Sequence, residues 1–261
     1  MLQASRSRSR RALEGCHALP QVEYAQFDRP CLEAMAEAAT AVTEIHRVLA
    51  KTGDNVVGEL LRGCGTFYEW DHYPKGDVYD HETHGQYYYH AHGVDQRFAD
   101  EHGHFHTFLR PAGMPPGMRP APMSTLQPPG DPEDALSHLV AIAMDSRGQP
   151  VRLFTVNRWV TGETWYGAED VVRMLPRFAI DHARPSWPVN RWITGLLAMY
   201  RPFIGALVRQ RDQAVHRWQR ERNPPDVYED RRLEVTSCLD IDLASDVRRL
   251  GEAIAALGHD G

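Results

Sequence analysis

Lysine is almost missing from this chain. Of 29 basic residues only Lys51 and Lys75 are lysines, and the formal net charge is -6. A binder that neutralises nucleic-acid phosphates needs a basic face, so that class is excluded and no nucleic-acid partner is expected. Cysteine is sparse as well. Cys16, Cys31, Cys64 and Cys238 lie far apart and form no C-x-x-C pair, which argues against both a disulfide framework and a cysteine-ligated zinc site. Such thiols fit a reducing compartment, and the expected location is cytoplasmic. No apolar run reaches the roughly 18 residues of a membrane span. The nearest, 192–208, is broken by Arg201 and Pro202. Glycine-rich phosphate loops, H-E-x-x-H and the G-x-S-x-G elbow are all absent, which disfavours dinucleotide, P-loop, zincin and hydrolase-elbow readings.

What remains is an ordinary globular composition, 42% apolar and 25% charged over 261 residues. Residues 1–28 read as a disordered tail. Its serines and arginines precede no apolar segment, so no secretory signal is expected there. Residues 29–261 read as one domain. Leu32, Met35, Ala39, Val42, Ile45 and Leu49 recur at three- and four-residue steps and predict a helix. Asp54 is the expected cap of a short helix, and 64–70 turns strand-like. Residues 110–132 hold eight prolines. They cannot form an interior helix or strand, and they read as a long loop or a lid. Strands are expected at 138–144 and 151–157, with a short one ending at Trp165. A long helix follows Ser186, kinked at Pro202. Residues 233–243 alternate cleanly as a half-buried strand, and Ser245 caps a last helix. Helices and strands are segregated along the chain. That order predicts an α+β fold, with a mainly antiparallel sheet of about five to six strands packed against several helices.

The chemistry concentrates in one place. Eight of the 14 histidines lie between His72 and His106. In 86–92 the even positions hold Tyr88, His90 and His92. In 101–108 they hold His102, His104 and His106. Side chains two apart on a strand share a face. If the segments pair antiparallel with His92 opposite His102, then His90 faces His104 and Tyr88 faces His106. Opposed β-carbons lie about 4.5–5.5 Å apart, close enough for imidazoles to converge on one ion. A one-residue slip would scatter them. The metal candidates are therefore His90, His92, His102, His104 and His106. Imidazole-rich sets suit a transition metal such as Zn or Fe, and the lack of cysteine ligands favours an open, reactive position. Glu101 and Glu82 are candidate general bases. Asp77, Asp80, Asp240 and Asp242 are further carboxylates, while Tyr87, Tyr88, Tyr89 and Phe105 are candidates for the wall.

The segments YYYHAH and EHGHFHTF resemble a signature in a family of uncharacterised bacterial proteins of unknown function. The resemblance covers the body of the chain and implies no activity, substrate or catalytic residue. Two further readings stay open. The same His/Tyr face would suit a non-enzymatic pocket for a small ligand or haem, and the helix after Ser186 would suit a protein partner. Arg97 and Arg158 are candidate anion contacts, and Cys64 reads as a buried thiol.

Overall fold

The computed structural model describes residues 17–19, 23–93, 96–122 and 129–258. Its centre is one sheet. Strands β2 (Tyr73–Tyr79), β3 (Gly85–His90), β4 (Gly103–Leu109), β5 (Ser137–Met144), β6 (Pro150–Val156) and β7 (Val235–Asp240) lie side by side in chain order, each antiparallel to the next. A two-residue strand, β1 (His17–Ala18), adds in parallel to the outer edge of β7. Seven helices are found among the described residues. They are α1 (Arg29–Ala50), α2 (Val56–Leu61), α3 (Arg158–Thr161), α4 (Ala168–Met174), α5 (Trp187–Met199), α6 (Arg201–Arg222) and α7 (Leu243–Leu257). The fold is α+β, as the segregated pattern predicts.

Alternation sorts the two faces of the sheet. Tyr87, Tyr89, Phe105, Ile142 and Leu153 join Trp192, Ile193 and Leu196 of α5 in the main core. Ala141, Ala143, Phe154, Val156 and Cys238 lie on the other face, covered by Phe98 and Val160 rather than by a long helix. The main core is anchored by a buried hydrogen bond in which Tyr87 Oη donates to Asn190 Oδ1 at 2.7 Å. Helix α1 buries the predicted stripe at Leu32, Met35, Ala39, Val42 and Leu49, and Asp28 caps it by accepting from the Cys31 N–H. Gly195 permits the close α1–α5 approach, since a Cβ there would sit 3.0 Å from Val42 Cγ2.

Several local expectations are corrected. Residues 64–70 form no strand, and the edge strand starts at Tyr73. Asn55, not Asp54, caps α2, while Asp54 pairs with Arg62. Asp242, not Ser245, caps α7 by accepting from the Ser245 N–H. Residues 158–161 are helical, and 163–167 have no regular structure. The helix after Ser186 is divided at Tyr200, with Pro202 in the first turn of α6, where a missing N–H costs no hydrogen bond. Of the expected tail, 1–16 and 20–22 lie outside the described residues, whereas Tyr24 is buried and Asp28 caps α1.

Candidate metal centre

The β3–β4 ladder has the register that the alternation requires. His90 pairs with His104 and Tyr88 with His106. The apolar partners on the opposite parity, Tyr87, Tyr89 and Phe105, are pulled into the helix-side core, so the histidines must take the other face. On β5 the residues directly opposite His104 and His106 are Ala143 and Ala141. Two small side chains there leave room beside the imidazoles.

His90, His104 and His106 converge. One ring nitrogen from each lies within 4.8 Å of the others, and all three residues are buried. The Nε2 atoms of His90 and His104 are 2.7 Å apart. His104 Nδ1 meets Glu101 Oε1 at 2.5 Å, with both side chains buried. His106 Nδ1 meets His138 Nε2 at 3.0 Å. His106 Nε2 is buried and has no hydrogen-bond partner. A histidine whose Nδ1 is held by an outer partner presents Nε2 as a lone pair, the usual arrangement of a metal-binding imidazole. His104 has it against the Glu101 carboxylate, and His106 has it in the tautomer whose Nδ1–H donates to His138 Nε2.

Burial drives the imidazoles towards the neutral form. His90 and His106 are held well below the usual histidine range, first by desolvation and then by the charge of neighbouring histidines. His92 is pushed down to about 4 and His138 to about 3, mainly by burial. Neutral imidazole is the metal-binding form, so burial prepares these groups as ligands at neutral pH.

The other sequence candidates fall around or outside this cluster. His92 lies past the end of β3, with its ring stacked on Trp70 at 4.2 Å and 5.2 Å from the ring of His104. His102 leaves the shared face. The β4 ladder starts only at Gly103, and His102 Nδ1 instead meets Tyr89 Oη at 2.7 Å on the helix side. Glu82 sits exposed in the β2–β3 turn, at the far end of β3 from His90. Asp77 contacts His72 and Gln86, and Asp80 organises the β2–β3 turn. Asp240 pairs with Arg152, and Asp242 caps α7. Two groups were not singled out from sequence. His138 supports His106. Glu234 lines a cavity with His92, His104, His106, Glu101 and Arg97. That cavity holds about 30 Å³, enough for one or two waters. None of the described residues of the 110–132 loop lines it. Instead, the Ala121 N–H donates to Trp165 O, and Met114 and Met118 pack on the main core.

The fold and site define a class: an α+β protein with a single open sheet, one face of which carries a buried three-histidine cluster able to hold a ligand or metal. Residues 36–241 match the family model described as Domain of unknown function (DUF6969). The chain belongs to that family of uncharacterised proteins, in line with the resemblance carried by YYYHAH and EHGHFHTF. No curated protein and no solved structure matches it. No helix among the described residues is long and apolar enough to cross a membrane.

Proposed function

We propose that this protein binds one transition-metal ion, zinc or iron(II), through His90, His104 and His106, and uses its open coordination position for metal-dependent catalysis on a small molecule. The observation that carries this reading is the buried, unpartnered His106 Nε2 beside the His90–His104 pair. A buried polar atom without a partner costs about 1–3 kcal/mol. A metal shared with two neutral imidazoles removes that cost. Three nitrogen ligands leave at least one position free, as in reactive rather than structural zinc sites. Glu101 acts on His104 Nδ1, where a carboxylate fixes the ring and raises its basicity. It is therefore a supporting residue in this reading, and the base that would act on substrate lies elsewhere. The haem alternative is disfavoured by space, because a cavity of about 30 Å³ has no room for a porphyrin.

The test is elemental analysis of tag-free protein purified without chelator or metal resin. The expected result is close to one equivalent of zinc or iron. An absence of metal, persisting after anaerobic reconstitution with Zn²⁺ or Fe²⁺, would overturn the proposal.

A further inference from the structure

We propose that Glu234 is the acid–base group of the site, set across the cavity from His104 and His106 to accept a hydrogen bond, and then a proton, from a water at the open metal position. This rests on the metal reading above. Glu234 immediately precedes β7 and lines the same small cavity as His104 and His106, which has room for one or two waters. The Glu234 carboxylate feels the charge of both His104 and Glu101, and no hydrogen bond to it is found among the described residues. Glu101 is already committed to His104 Nδ1, so it cannot take a proton from the water without releasing the ring. Glu234 is not in the group of ligand atoms that lie within 4.8 Å of one another, so it is placed beside the ion's ligands and not among them.

The step balances without a redox partner. A water O–H bond breaks, an O–H bond forms on the Glu234 carboxylate, and the electron pair stays on the water oxygen. The remaining walls include Phe98, Phe154, Val156, Val160 and Val235. A hydroxide formed at that position would supply the nucleophile for hydrolysis or hydration of a small molecule.

Azide binding to the Co²⁺-loaded protein at fixed pH tests this without knowing the substrate. A carboxylate facing the open position repels a coordinated anion. E234Q should therefore keep one equivalent of Co²⁺ and bind azide about ten-fold more tightly than wild type, with E234D in between and the exposed-surface variant E252Q unchanged. Equal azide affinity in E234Q and wild type would overturn the proposal, because Glu234 would not face that position. Loss of Co²⁺ from E234Q would overturn it too, by making Glu234 a ligand. So would failure of both E234Q and E234D to fold, by circular dichroism, since the role would then be structural. If wild type takes up no Co²⁺, the metal reading itself has failed.

Discussion

The Nε2 atoms of His90 and His104 lie 2.7 Å apart, on facing strands and away from solvent. Two nitrogen lone pairs cannot point at each other over that distance without something positive between them. A proton on one ring satisfies the pair in the metal-free protein. A divalent ion replaces that proton and also engages His106 Nε2, which a single shared proton leaves unpartnered. Two ligands at about 2.1 Å on a tetrahedral centre are about 3.4 Å apart, so the rings need only move by ångström-scale adjustments to admit the ion.

Removing a ligand should remove the metal. His104→Ala and His106→Ala are each expected to lower metal affinity by more than about 100-fold, beyond the roughly 10–100-fold typical of an outer partner. Competition with a chromophoric chelator reads this directly. Near-wild-type affinity in either variant would exclude that residue as a ligand.

Outer partners should have the smaller effect. Glu101→Gln weakens the hold on His104 Nδ1, and His138→Phe removes the partner of His106 Nδ1. Each is expected to lower metal affinity about 10–100-fold while stoichiometry at saturating metal stays at one. If Glu101→Gln abolished binding at every metal concentration, Glu101 would belong with the ligands.

Gly103 couples the backbone to the centre. A Cβ there would lie 2.5 Å from the His90 carbonyl oxygen and 2.6 Å from Tyr89 Oη, so β3 and β4 would have to part beside the histidine pair. Gly103→Ala should destabilise the protein by about 1–3 kcal/mol in urea and weaken metal binding in the same variant. An unchanged unfolding midpoint would show that the strands do not pack this closely.

Glu163 sets a pH dependence opposite to that of the buried histidines. It is buried, and desolvation pushes its carboxyl up to about 7, against the attraction of Arg211. A raised carboxyl means that the folded state keeps a proton which the unfolded chain releases near 4.5. The stability from this group is complete below about 4.5 and is lost as the pH rises through 7, a loss on the order of 3 kcal/mol. Glu163→Gln keeps an acceptor for the His138 N–H and removes that loss. Urea unfolding should show the variant gaining on wild type between pH 4.5 and pH 8. A gap that narrows as pH rises would contradict this assignment.

The centre was legible in sequence where one ladder governs it. His90, His104 and His106 share parity on strands whose other parity is Tyr87, Tyr89 and Phe105, so burying the aromatics fixes the histidine face. His92 and His102 fall outside the three-histidine group because parity holds only inside a ladder, and this one runs from His90 to Gly103 at that end. His138 carried no local signal. It is a lone histidine in a strand buried on both faces, and only the β4–β5 pairing brings it to His106. Glu234 shares the parity of Cys238, so alternation puts it on the histidine side, but nothing local says that this strand lies three places from His104, and only the sheet order brings it there. The helices followed from periodicity, while their caps were missed by one to three residues because neighbouring polar side chains compete for the same N–H groups.

Whether His90, His104 and His106 together hold one ion is decided by anomalous diffraction from crystals of the metal-loaded protein, collected on both sides of the metal's absorption edge. The expected result is a single strong peak at about 2.0–2.2 Å from one nitrogen of each histidine. A peak elsewhere, or none in crystals of protein shown to contain metal, would contradict it.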